Sequence, residues 1–185
     1  MEIDALISEF ATEVGSGQIE IYNEFSLQHE LGIYLRKSLK NKKVQFERNV
    51  TFFGLNKSDY VKREIDISIF ESDSSSLEAV IELKFPRNGQ YPEQMFSFCK
   101  DVQFAEQLKK AGFQEAYVVI FAEDSPFYQG KTNGIYGFFR GGRDLTGEIQ
   151  KPTGARNDTA RINGRYSVKW HAVTGSLKYA VIRVE

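Results

Sequence analysis

Two carboxylates and a lysine occupy alternating positions on two neighbouring predicted strands. Asp66 lies on the polar face of residues 64–70, and Glu82 and Lys84 share the polar face of residues 79–85. If both strands turn the same face outward, these three side chains converge at one end of a sheet. Two adjacent carboxylates raise each other's pKa unless a cation lies between them. The pattern therefore favours a carboxylate-bound Mg²⁺, with Lys84 as a positive charge beside an attacking water or a scissile phosphate.

The same residues also fit an interpretation without chemistry. Glu82 and Lys84 alone are typical of the solvated face of an amphipathic strand, and Asp66 alone is equally uninformative. The order of the elements favours chemistry, because a carboxylate-bearing helix precedes Asp66 and a further helix follows Lys84.

The elements that would position these residues follow from the hydrophobic pattern. Apolar spacing predicts helices, and alternation or continuous apolar runs predict strands. The helices are expected at residues 2–14, 22–39 and 92–111, and the strands at 44–53, 64–70, 79–85 and 116–122. This α-α-β-β-β-α-β order predicts an α/β fold in which helices flank a central mixed sheet, as one domain over residues 1–185.

The C-terminal part differs in composition. Eight of the 15 glycines fall between Gly130 and Gly164, so residues 125–185 are expected to form loops and short strands outside the core. Residues 166–173 and 177–184 alternate around a Thr-Gly-Ser turn, which predicts a terminal hairpin.

The formal net charge of −1 conceals a division along the chain. Residues 1–130 hold 14 basic and 21 acidic side chains, whereas residues 131–185 hold 10 basic and 4 acidic ones. Basic residues among aromatics can bind phosphates and stack on unpaired bases, although solvated loops explain them equally well. The candidates for nucleic-acid binding are Arg140, Arg143, Lys151, Arg156 and Arg161.

Taken together, Asp66 and the Glu82-Leu83-Lys84 sequence resemble the PD-(D/E)XK nuclease superfamily, which includes restriction endonucleases and Holliday-junction resolvases. The resemblance covers residues 22–122 and implies a restriction-endonuclease-like α-β-α core. It also implies that Asp66 and Glu82 bind Mg²⁺ or Mn²⁺ and that Lys84 assists the hydrolytic water. The sequence departs from the name-giving pattern at Ile65, where the family has proline.

Members of this superfamily often add a glutamate from the preceding helix to the metal site. Glu30 matches that position best, and Glu24 is the second choice. His29 lies beside Glu30 and is expected either to tune it or to be a surface histidine. Gln94 and Asp101, on the helix after Lys84, are either supporting polar groups or part of a solvated helix face.

Composition argues against several other classes of protein. No apolar run is long enough to cross a membrane, and the acidic N-terminal segment does not resemble a signal peptide. Cys99 is the only cysteine, which excludes an intramolecular disulfide and a cysteine zinc site and is typical of a reducing compartment such as the cytoplasm.

The first hypothesis is therefore a divalent-metal-dependent nuclease that hydrolyses phosphodiester bonds, with DNA as the expected partner. The sequence does not decide whether the substrate is DNA or RNA, whether cleavage is endonucleolytic or exonucleolytic, or whether the protein is a monomer or a homodimer. The second hypothesis is a non-catalytic nucleic-acid-binding or protein-interaction module on the same fold. The third is an unrelated α/β domain whose charged strand faces are solvated.

Overall fold

The computed structural model describes residues 3–71, 76–87, 89–154 and 157–185. Its helices are α1 (Ile3–Gly15), α2 (Glu24–Ser38), α3 (Tyr91–Lys110) and the short α4 (Tyr136–Phe139). Its strands are β1 (Lys43–Asn49), β2 (Glu64–Phe70), β3 (Leu77–Lys84), β4 (Glu115–Ala122), β5 (Leu145–Gln150), β6 (Thr159–Tyr166), β7 (Trp170–Thr174) and β8 (Leu177–Val184). None of the described helices is long and apolar enough to cross a membrane.

A mixed six-stranded sheet forms the centre of the fold, in the order β1-β2-β3-β4-β8-β7. β3 and β4 are parallel and joined by α3, and the other neighbouring strands pair antiparallel. The prediction of an α/β fold with a mixed sheet flanked by helices is therefore confirmed.

The two faces of the sheet contribute to two separate cores. Along β4, Val118 and Ile120 pack in the core that contains α3, whereas Val119 and Phe121 pack in the core that contains α1 and α2. Helices thus cover both faces, and β4 is buried on both, as its continuous apolar run predicts.

α3 is enclosed between two sheets. β5 and β6 form a separate two-stranded sheet, and apolar residues of that sheet such as Ile162 join α3 in one core. Glu106 of α3 also accepts hydrogen bonds from the Gly164 backbone N (2.7 Å) and the Tyr166 hydroxyl (2.9 Å). The small sheet is therefore held to α3 by both apolar and polar contacts.

Two predicted elements differ from the structure. The strand predicted over 44–53 ends at Asn49 and is followed by a 3-10 turn, Val50–Phe53. The Asn49 side chain caps this turn by accepting a hydrogen bond from the Thr51 backbone N. The predicted hairpin forms as β7 and β8, but it extends the central sheet beside β4 instead of lying outside the core. Tyr166, predicted in the first strand of that hairpin, belongs to β6.

A close contact at Gly32 sets the distance between α2 and β1. A Cβ atom at Gly32 would lie 2.0 Å from the Phe46 ring, far closer than two carbon atoms can approach. The absence of a side chain at this helical position therefore lets α2 approach the sheet.

We predict that Gly32→Ala destabilises the protein by about 1–3 kcal/mol, because overpacking outweighs the better helix propensity of alanine, which is worth about 1 kcal/mol. Urea denaturation followed by circular dichroism measures the change. The double variant Gly32→Ala/Phe46→Leu removes the ring and should recover most of the loss. A single variant as stable as the original protein would show that α2 is not held at this distance.

Candidate active site

The central feature of the site is the point where β2 and β3 separate. The two strands are paired from Ile69↔Ala79 to Ile67↔Ile81, and the next position in this register places Asp66 opposite Glu82. There the ladder stops, and Asp66 Oδ2 accepts a hydrogen bond from the Leu83 backbone N at 2.7 Å. The Asp66 backbone N donates to Glu82 Oε1 at 3.4 Å. A carboxylate thus takes the place of a backbone carbonyl, and the structure brings the two acidic residues together.

Glu82 is fully buried between the sheet and α3. The ammonium group of Lys62, in the segment before β2, forms ion pairs with Glu82 and with Asp101 Oδ1 (2.8 Å). Asp101 lies on α3 and is also buried. A solvated strand face, the alternative interpretation of Glu82, is therefore not what the structure has at this position.

Lys84 is held by groups from three elements. Its Nζ donates to the Leu83 carbonyl at 2.9 Å and lies 3.3 Å from Asp101 Oδ2 and 3.5 Å from Glu24 Oε1. The contact with Asp101 Oδ2 lacks hydrogen-bond geometry, so this buried oxygen has no hydrogen-bond partner among the described residues. Burial lowers the pKa of Lys84, but Asp101 and Glu24 more than offset this, and the net shift is upward. Lys84 is therefore a fixed positive charge at neutral pH.

The pKa values of the two opposed carboxyl groups are both raised. Burial raises the pKa of Asp66 to about 6, although Lys62 and Lys84 oppose the shift. Burial and the negative charge of Asp66 raise the pKa of Glu82 to about 8, with Lys62 offsetting part of the shift. Excess negative charge in a buried position is the condition that a bound cation relieves.

Asp66 also lines a small pocket of about 50 Å³ on the α2 side, which has room for an ion or a few waters. Gln28 Nε2 donates to the Asp66 carbonyl at 2.9 Å, which fixes α2 against β2. Glu47 of β1 lines the same pocket with a φ of 50°, in the left-handed region that non-glycine residues rarely adopt. The remaining lining residues are Glu24, Phe25 and Leu83.

The structure places the two candidate helix glutamates differently. Glu24, in the first turn of α2, accepts a hydrogen bond from the Phe85 backbone N at 3.1 Å in addition to its contact with Lys84. Glu30 contacts His29 Nδ1 at 3.3 Å and makes no contact with Asp66, Glu82 or Lys84 among the described residues. Glu24, the second choice from the sequence, is thus the glutamate of α2 that reaches the site.

The candidate nucleic-acid-binding residues are distributed rather than clustered at the site. Arg140 donates to the Pro126 and Lys131 carbonyls, and Arg143 donates to the Gly134 carbonyl at 2.8 Å. These two arginines hold loops together.

The other candidates also differ in their surroundings. Lys151 lies 3.4 Å from Glu93 Oε2, Arg161 is exposed, and Arg156 lies outside the described residues. Arg161 is thus the candidate whose side chain is most available to a phosphate.

Sequence reasoning missed Lys62 and Glu47 and assigned Asp101 no definite role. Lys62 lies in an irregular segment where no periodic pattern indicates its direction. The one available signal was Asp101, which lies at helical spacing from the apolar Phe98, Ala105 and Leu108 of α3, so that its burial requires a cationic partner.

The groups at the site are hard oxygen donors, which suit Mg²⁺ or Mn²⁺ better than soft metals. Within the described ranges, no cluster of three or more His, Cys, Asp or Glu side chains is arranged to hold a metal ion. A two-carboxylate site is nevertheless sufficient for Mg²⁺, which usually keeps several waters and takes further oxygens from a substrate phosphate. The opposed Asp66 and Glu82 fit such a site, provided that Lys62 withdraws from Glu82.

Comparison of this chain with protein-family models, with curated proteins and with solved structures found no match.

We predict opposite pH effects for two glutamates of β3 in the presence of EDTA. The pKa of Glu82 is raised from 4.5, so the folded state holds its proton more tightly, and stability is lost as the pH rises from about 4.5 to 8. The original protein should therefore lose stability relative to Glu82→Gln across this range.

Glu78 provides the matched control, because a hydrogen bond from Lys42 lowers its pKa. Relative to Glu78→Gln, the original protein should lose stability as the pH falls below 4.5 through the lowered pKa of Glu78. Urea denaturation between about pH 3 and pH 8 measures both differences. Equal pH profiles for the two variants would contradict the assignment of Glu82 as the buried, proton-binding carboxyl group.

Proposed function

We propose that this protein is a divalent-metal-dependent nuclease that hydrolyses phosphodiester bonds, with DNA as the expected substrate. One observation carries the proposal: Asp66 and Glu82 are opposed where β2 and β3 separate, and Lys84 is held beside them as a charged group. The order α2-β1-β2-β3-α3-β4 agrees with the restriction-endonuclease-like core that the resemblance implies.

Asp66 and Glu82 are the residues that would hold Mg²⁺ or Mn²⁺. When bound, the metal lowers the pKa of a coordinated water and neutralises charge on the phosphate. The backbone N–H of Leu83 fixes one oxygen of Asp66, so the carboxylate is oriented before any ligand enters. This preorganisation lowers the cost of assembling the site.

Lys84 acts as a cation in this proposal and not as a general base. Its raised pKa keeps the ammonium group charged, so it cannot accept the proton of the attacking water at neutral pH. Asp101 and Glu24 instead hold the ammonium group in place, where it stabilises the negative charge that develops on the phosphate.

We expect Glu82→Gln, Asp66→Asn and Lys84→Met each to reduce Mg²⁺-dependent cleavage by at least about a hundredfold, as loss of an electrostatic catalytic group does. The assay offers supercoiled, linear, single-stranded and branched DNA and RNA with Mg²⁺ or Mn²⁺. The panel also distinguishes endonuclease from exonuclease activity.

Glu78→Gln is the matched control, because Glu78 is also on β3 and also pairs with a lysine, with 2.9 Å between Glu78 Oε1 and Lys42 Nζ. That variant should cleave normally. Full activity of a folded Glu82→Gln variant would disprove the proposed mechanism.

A non-catalytic binding module is the second candidate, and Lys62 is the observation that favours it. Its ammonium group already pairs with both Glu82 and Asp101, so the buried carboxylates share a cation without any metal. If this pairing is permanent, the site holds the fold together and does not cleave.

Calorimetric titration with Mn²⁺ separates the two candidates. For a nuclease we expect one site that Asp66→Asn abolishes, and Lys62→Met should tighten Mn²⁺ binding about tenfold or more because the competing ammonium group is gone. Lys57→Met, in the 3-10 turn Lys57–Asp59 before Lys62, should leave the affinity unchanged. Absence of Mn²⁺ binding in both the original protein and a folded Lys62→Met variant would favour the binding module.

A further inference from the structure

Two exposed aromatic side chains flank Asn23, the residue that caps the N-terminus of α2 next to Glu24 of the candidate active site. The exposed fraction is 62% for Tyr22 and 79% for Phe25. Single exposed aromatics are common, so exposure alone indicates nothing. The position of Phe25 is informative, because it lines the same pocket as Glu24 and Asp66.

The turn that carries the two rings is rigidly fixed. The Asn23 side chain accepts a hydrogen bond from the Ser26 backbone N (2.8 Å), and Ser26 Oγ accepts from the backbone N atoms of Tyr22 (2.8 Å) and Asn23 (3.0 Å). Arg87 Nη1 also donates to the Tyr22 carbonyl at 2.8 Å, which ties this turn to the segment after β3. The backbone that presents the rings is therefore already ordered before a ligand binds.

The fold does not use either ring face. Neither Tyr22 nor Phe25 makes a ring–ring or cation–ring contact with any described residue. Phe52, which is 45% exposed, is different: its ring lies 4.3 Å from the Arg48 guanidinium carbon and 4.9 Å from the Phe53 ring. Tyr22 and Phe25 thus present free aromatic faces, and the ring of Phe25 lies beside the carboxylates.

We propose that Tyr22 and Phe25 stack on unpaired nucleobases next to the phosphate that enters the site, so the preferred substrate is single-stranded or locally unpaired nucleic acid. This inference rests on the proposed nuclease function. Aromatic side chains bind single strands by stacking on exposed base faces without regard to sequence. In an intact duplex those faces already stack on neighbouring bases and are not available. Arg87, whose half-exposed guanidinium lies beside this turn and 3.5 Å from Glu123 Oε2, supplies a cation for the adjoining backbone.

Fluorescence anisotropy of labelled oligonucleotides in EDTA tests the proposal without cleavage. The probes are a single strand, a blunt duplex and a duplex with a single-stranded flap. We expect Tyr22→Leu and Phe25→Leu each to weaken binding of the single strand and the flap about tenfold, with no change for the duplex. Tyr22→Phe and Phe25→Tyr keep an aromatic face and should bind as the original protein does.

Phe52→Leu is the matched control, and it should leave binding of every probe unchanged. Three results would overturn the proposal. The Leu variants could bind the single strand as tightly as the original protein does, they could lose as much affinity for the duplex as for the single strand, or the original protein could bind none of the probes. If binding depends on the two rings but the original protein cleaves none of the substrates, the proposed nuclease function is wrong and the stacking surface is supported. If the original protein cleaves and the Leu variants cleave equally well, the nuclease function stands and the stacking surface is wrong.

Discussion

The structure around the site depends on an alternating chain of charges between the sheet and its helices, which is buried at Glu82 and Asp101 and reaches the surface at Glu24. Glu82, Lys62, Asp101, Lys84 and Glu24 follow one another in contact, so each lysine is shared by two carboxylates. Burying one of these carboxylates without a cation would cost several kcal/mol, more than most single contacts contribute to folding. Since the five residues come from α2, α3, β3 and the segment before β2, this pairing also fixes how those elements are placed relative to one another.

Asp66 differs from the other carboxylates because it stands outside this chain. No cation lies within ion-pair distance of it in the described part of the protein, and its defined partner is the Leu83 backbone N. The site therefore combines carboxylates that are paired with lysines and one, Asp66, that lacks a counterion among the described residues. A divalent ion would meet Asp66 first and would have to compete with an ammonium group for Glu82. This competition decides between a catalytic site and a structural one.

The sequence predicted that Asp66, Glu82 and Lys84 lie near one end of two neighbouring strands, because all three alternate with apolar residues there. The faces differ from a simple alternation, since Asp66 lines the pocket on the α2 side and Glu82 packs against α3. The sequence could not predict where the β2–β3 ladder stops, since that depends on a side chain replacing a backbone acceptor. The sequence preferred Glu30 to Glu24 for a similar reason. Helical spacing predicts which residues of α2 share a face, but it does not predict which end of the helix contacts the site, and Glu24 is the one that does. The role of Arg140 could not be predicted either, because an arginine in a loop can donate hydrogen bonds to backbone carbonyls as readily as to phosphates. In the structure it donates to two carbonyls.

The position of β8 beside β4 has a consequence for the tolerance of the fold to changes in length. Residues 123–169 leave the central sheet after β4, form α4 and the small sheet, and return to β7. For a flexible loop, the entropy of closure grows only with the logarithm of its length, so doubling the loop costs about 0.6 kcal/mol. The part of this segment that does not cover α3 can therefore lengthen or shorten at little cost. The charged network, which involves none of these residues, would be unaffected.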